Sequence, residues 1–142
     1  MHIYESRCAM TRKEAREEAF ILIFEKQFNN DSTDEILDMA RQVRDIAPDD
    51  YIKAVFSGVY CNLDEIDSKI SAAAIGWSLS RISKTVLAVL RLAIYEILFM
   101  PDIPDSVSIN EAVELLKKYA TREDASYANG ILSTVVKNKS ND

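Results

Sequence analysis

The stretch Thr85–Glu114, TVLAVLRLAIYEILFMPDIPDSVSINEAVE, decides the fold. From Thr85 to Met100 it carries only two charges, Arg91 and Glu96, and almost everything else is apolar. A helix that is apolar nearly all round is the buried centre of a bundle. Pro101-Asp102-Ile103-Pro104 breaks that helix, and Ser108 ahead of Asn110-Glu111 predicts the cap of the next. A buried charge must be paired and hydrogen-bonded. Arg91 and Glu96 therefore predict structural pairing with other helices, with partner binding or catalysis as the other reading.

On either side of this segment the chain reads as helix. Thr11-Arg12-Lys13-Glu14 is a capping box that opens a helix ending at Asn29-Asn30-Asp31. Ala15, Ala19, Leu22, Ile23 and Phe28 supply its apolar face. A second helix starts near Ser32, with Ile36, Met39, Ala40 and Val43 at helical spacing, and stops before Pro48. A third follows Asp49-Asp50, with Ile52, Val55, Phe56 and Val59 facing in. Asn62 reads as the N-cap of a fourth, carrying Ile66 and Ile70. Gly76-Trp77-Ser78 marks the boundary between two halves, with Trp77 as an interior or hinge anchor. After the central helix, one helix ends near Ala120, with Val113, Leu116 and Tyr119 or Ala120 inward. A last one spans about Asp124 to Lys137, with Ile131, Leu132, Val135 and Val136 inward. Asn129-Gly130 is a hairpin signal, but its flanks are too short and too weakly β-prone. The prediction is an all-α protein: a compact bundle of about seven helices in two small helical halves. It forms one domain over 1–142, with about 1–10 and 138–142 flexible.

The chain has 142 residues and a net charge of −6, so any nucleic-acid site is a local patch on an acidic body. The one histidine is His2, near the N-terminus, which removes most histidine-based catalysis and metal ligation. Cys8 and Cys61 have no metal-type spacing and read as reduced thiols. No phosphate-cradling glycine loop is present. No catalytic residue, metal or cofactor is expected. The central apolar run is shorter than the roughly 20 residues of a membrane span. No membrane association is expected, and the location reads as cytoplasmic.

Arg12 and Arg16 stand four apart and Lys13 lies alongside, a small cationic patch able to hold phosphates. Glu14, Glu17 and Glu18 are interleaved with it, so a solvated helix face is the alternative reading.

Several segments together resemble the NusB family of bacterial antitermination factors. They are Val89-Leu90-Arg91-Leu92-Ala93-Ile94-Tyr95-Glu96, Asp102-Ile103-Pro104, Ile109-Asn110-Glu111-Ala112-Val113-Glu114-Leu115, Arg16-Glu17-Glu18-Ala19 and Tyr127-Ala128-Asn129-Gly130-Ile131-Leu132. Trp77 with Arg81 also fits. The resemblance implies a non-enzymatic, two-halved helical protein. It implies pairing with NusE, a small-subunit ribosomal protein, and joint binding of boxA-type single-stranded RNA within the transcription elongation complex. Its RNA site, carried over, falls on Arg12, Lys13 and Arg16, and on Glu123 and Tyr127 at the start of the last helix. Tyr127 could stack on an unpaired base, or serve as core packing. Glu14 interrupts the basic run, Tyr127 stands where relatives often carry Phe, and Val86 and Leu87 stand where many carry charge, beside the partner face. The alternatives are an RNA-binding accessory module of the ribosomal RNA methyltransferase type, and a self-associating interaction protein, with a homodimer hiding the RNA face.

Overall fold

The computed structural model describes residues 10–44, 49–76 and 78–140. Among these, seven α-helices and one 3-10 turn account for the regular structure: α1 Arg12–Lys26, α2 Thr33–Arg44, α3 Asp50–Cys61, α4 Leu63–Ala73, the turn Leu79–Arg81, α5 Lys84–Phe99, α6 Asp105–Tyr119 and α7 Arg122–Ser140. The expected all-α bundle is the observed one. Trp77 and the expected stop before Pro48 lie outside the described residues.

The caps explain most of the helix starts. Thr11 Oγ1 accepts from the Glu14 amide at 3.1 Å and Glu14 Oε1 accepts from the Thr11 amide at 2.9 Å. Ser32 and Glu35 repeat the same reciprocal pair at 3.1 and 2.9 Å, opening α2. Asp49 Oδ1 accepts from the Ile52 amide at 2.9 Å, and Ser83 Oγ from the Val86 amide at 3.2 Å. Asn62 does the opposite of what its position suggested. Its Nδ2 donates to the Gly58 carbonyl at 2.8 Å, closing α3, and it makes no side-chain cap for α4. Ser108 is not a cap either. Pro104 stands at the N-cap with φ −59, and α6 is already a turn old when it reaches Ser108. At the far end Asn129-Gly130 lies inside α7, which continues past Lys137 to Ser140. There Lys139 Nζ meets the Ile97 carbonyl at 3.2 Å and Asp105 at 2.9 Å.

α5 is the axis of the bundle. Its side chains are buried without a break from Val86 to Leu90, and it packs on α1, α3, α4, α6 and α7. α1, α2 and α3 form one group around it. α4 sides with α5 and α7, so the change of group falls at Asn62 rather than at Gly76. Gly76 is a turn residue with φ +87, a conformation glycine adopts freely. α3 and α5 approach closely at Gly58, where an added Cβ would run into the Tyr95 ring.

The apolar faces differ in detail from the periodic reading. On α2 it is Ile36, Leu37 and Ala40 that are buried, while Met39 and Val43 are 58% and 70% exposed. Phe28 is also exposed, because α1 ends before it. Phe20 and Tyr51 join the core instead. Among the described residues no helix is long and apolar enough to cross a membrane.

Candidate nucleic-acid interface

A fully buried carboxylate organises the N-terminal side of the bundle. Glu96, on α5, accepts from Arg16 Nε at 2.8 Å, from Ser108 Oγ at 2.7 Å and from the Tyr51 hydroxyl. Four helices, α1, α3, α5 and α6, meet on this one group. Burial opposes the Arg16 charge, but the hydrogen bond and charge of Glu96 outweigh it, so Arg16 holds its proton more tightly than a free arginine. Burial, and then the charge of Glu96, push the Tyr51 phenol far above its ordinary range. Tyr51 therefore remains a donor.

Sequence reasoning put Arg16 on the phosphate-facing surface with Arg12 and Lys13. The structure corrects that placement: Arg16 is 4% exposed and turned inward. Arg12 and Arg16 do share a helix face, but Arg16 lies one turn deeper, level with Ala15 and Ala19. Arg12 and Lys13 remain exposed. The Arg12 guanidinium lies over the Tyr51 ring, 4.4 Å from its centroid. Lys13 Nζ approaches Glu111 at 3.5 Å, and Glu111 also faces Arg16 Nη1 at 3.6 Å. Glu14 points back into its cap, and the Thr11 backbone hydrogen bond holds its carboxyl below the usual range.

The two residues carried over to the last helix lie elsewhere. Glu123 is exposed in the first turn of α7. Tyr127 is half-buried against the core, its hydroxyl shielded from solvent and without a hydrogen-bond partner. It lines a cleft of about 250 Å³ with Arg81, Ile82, Ser83, Val86 and Asp124. Lys13 and Arg16 line a different cleft with Glu111 and Lys118. The two clefts share no residue, so the structure does not bring the N-terminal cations and Tyr127 into one pocket. Val86 and Leu87 are both buried, which accounts for apolar residues at these positions.

Arg91 and Glu96 do not pair with each other. Arg91 forms a two-pronged bond to Asp67 on α4, Nε and Nη2 each 2.9 Å from an oxygen. Both charges are thus held by other helices. Among the described residues no group of three or more metal-ligating side chains converges. Sequence reasoning missed Tyr51 and Ser108. Tyr51 stands four residues before Val55 on the inward face of α3, a spacing that was available. Ser108 was hidden by its resemblance to a cap.

Beside this region runs an aromatic ladder. Phe20 and Phe24 on α1 and Phe28 just past its end follow one another, with ring centroids 6.4 and 5.1 Å apart, and the tilted Tyr119 ring lies 5.0 Å from Phe20. Phe20, Ile21, Phe24, Glu25, Thr85 and Tyr119 line an apolar cleft of about 280 Å³. Glu17 at its edge accepts from Lys118 at 2.6 Å and from the Tyr119 hydroxyl. These bonds, Lys118 first, hold the Glu17 carboxyl below its ordinary value of 4.5. A depressed carboxyl contributes stability that is present above that value and is lost as pH falls through the folded one. Glu17→Gln is therefore expected to lower the melting temperature at pH 7 and to narrow its gap from wild type at pH 3. An equal gap at both pH values would contradict the pairing.

A family model described as the NusB family matches residues 13–137. The transcription antitermination protein NusB of Acetivibrio thermocellus is 47% identical over 132 residues, covering 92% of this chain and 91% of its own. NusB of T. maritima superposes with a TM-score of 0.78 at 34% identity, covering 90% of this chain and 92% of that one. A structure of the antitermination factors NusB and NusE in complex with double-stranded RNA gives a TM-score of 0.79 at 26% identity, over 89% and 96% of the two chains. A match along almost the whole length, in sequence and in fold, leaves one assignment: the chain belongs to the NusB family.

Proposed function

We propose that this protein is a non-enzymatic transcription antitermination factor that binds boxA-type RNA jointly with NusE, in the cytoplasm, as part of the elongation complex. The observation that carries the reading is its likeness to a NusB solved with NusE and RNA. The exposed Arg12 and Lys13 support it locally. They supply sequence-blind attraction to phosphates, as an acidic body requires of a local site. Tyr127 and Glu123 form the second part of the RNA face, on α7. Arg16 serves this face from beneath, through Glu96 and Glu111, rather than by touching phosphate.

NusE docks on the aromatic cleft of α1. The family resemblance puts the partner face beside Val86 and Leu87, and the preceding residue, Thr85, lines that cleft. Aromatic side chains in a half-open apolar cleft are what a protein partner buries.

The test is RNA titration with NusE present at several salt concentrations. Arg12→Ala and Lys13→Ala are each expected to lower the salt slope by about one. Tyr127→Ala is expected to cost about 1–3 kcal/mol of binding, from lost stacking. Thermal melts of each variant separate binding from folding. Salt slopes and affinities unchanged in all three variants would overturn the site. The related complex holds double-stranded RNA, whereas stacking on Tyr127 calls for an unpaired base. Single-stranded boxA RNA is therefore expected to outcompete its duplex in the same assay.

A further inference from the structure

We propose that Tyr51 is a positioning residue for the RNA face: its ring, fixed by Glu96, holds the Arg12 guanidinium in place for a phosphate. The inference rests on the reading of Arg12 as an RNA contact. Tyr51 is 5% exposed, yet one face of its ring reaches the surface residue Arg12, 4.4 Å from the guanidinium carbon. The far edge of the ring is tied down, because its hydroxyl donates to Glu96 Oε2. The same oxygen takes Arg16 Nε at 2.8 Å, and the other oxygen takes Ser108 Oγ at 2.7 Å. The ring therefore cannot swing without breaking a buried network. Among the described residues no carboxylate pairs with Arg12, and the Tyr51 ring is the support its guanidinium lies on. A long cationic side chain ordinarily loses much rotamer freedom on binding. One already stacked on a fixed ring loses less. The resemblance assigned RNA contact to Arg12 and Arg16 together. The geometry divides the work: Arg12 meets the phosphate, and Arg16 with Glu96 orients the platform beneath it.

The experiment measures affinity for a labelled boxA-type RNA at fixed salt, with NusE present, for wild type, Tyr51→Phe, Tyr51→Leu, Arg12→Ala and the double variant Tyr51→Leu/Arg12→Ala. The expected results are roughly two- to fivefold weaker binding for Tyr51→Leu and a smaller loss for Tyr51→Phe, which keeps the ring but cuts its tie to Glu96. In the Arg12→Ala background Tyr51→Leu is expected to add nothing, since a residue acting through Arg12 has no effect without it. An undiminished Tyr51→Leu effect in that background would show a general structural role and overturn the proposal. So would a loss on Arg12→Ala with none on Tyr51→Leu. No loss on Arg12→Ala would instead remove the RNA reading of this patch. Should Tyr51→Leu fail to fold, proton NMR of the wild-type protein decides. Arg12 side-chain protons shifted upfield by the ring support the stacking, and unshifted ones overturn it.

Discussion

Glu96→Ala is expected to lower the free energy of unfolding by about 3–5 kcal/mol in a urea titration. The substitution does more than delete three hydrogen bonds. It leaves Arg16, whose side chain is 5% exposed, with Glu111 at 3.6 Å as its one remaining counter-charge among the described residues. It also strands the Tyr51 hydroxyl and Ser108 Oγ, both buried donors that lose their acceptor. The protein as a whole has a margin of about 5–15 kcal/mol, so this one change uses a large share of it. Arg16→Ala belongs to the same class, since it leaves the carboxylate buried with neutral donors alone. Replacing both charges at once, Arg16→Met with Glu96→Leu, is expected to recover most of the loss, because the cost lies in the unpaired charge. A loss below 1 kcal/mol for Glu96→Ala would mean that water enters the site and that the network is not closed.

The second large effect concerns the partner. Phe24→Glu is expected to weaken binding of NusE by at least about thirtyfold, a hot-spot loss of some 2 kcal/mol or more. Phe24 sits in the middle of the ladder, between Phe20 and Phe28, and lines the apolar cleft. A carboxylate there forces a charge into the surface that NusE would bury. Phe24 is itself only half-buried, so folding should tolerate the change far better than binding does. Met39→Glu is the matched control. Met39 is 58% exposed on α2, away from the cleft, and its substitution is expected to leave NusE affinity unchanged. Isothermal titration with each variant checks both. Equal affinity for wild type and Phe24→Glu would remove the α1 cleft as the docking face.

The helices were legible because their starts are written locally. Thr11 with Glu14 and Asp49 announce themselves within three residues, and each is seen capping. Ser108 misled for the same reason: a serine before Asn110-Glu111 looks like a cap wherever it falls. Only the preceding Pro104 decides otherwise, by starting the helix earlier. On α2 the spacing of Met39 and Val43 was helical but said nothing of which stripe faces in. Leu37 shifted the buried stripe away from both. The site was less legible than the fold. Local spacing put Arg16 with Arg12, yet what turns Arg16 inward is a carboxylate 80 residues away. That Glu96 required a partner could be read from the apolar helix around it. Which arginine answers it could not, because helical spacing carries no information across the bundle. The aromatic ladder was likewise hidden, because the ring that joins it from another helix, Tyr119, stands 99 residues from Phe20.

The carboxylate at the centre of the bundle also bears on how the chain reaches its native state. Its three donors stand 80, 45 and 12 residues from it along the chain. No short fragment can satisfy it. Until α1, α3 and α6 have all arrived, the otherwise greasy α5 carries a charge that resists leaving water. A partly assembled intermediate that buried α5 early would meet this penalty with no donors to offset it. The same group that fixes the finished structure thus penalises burying α5 before α1, α3 and α6 stand beside it.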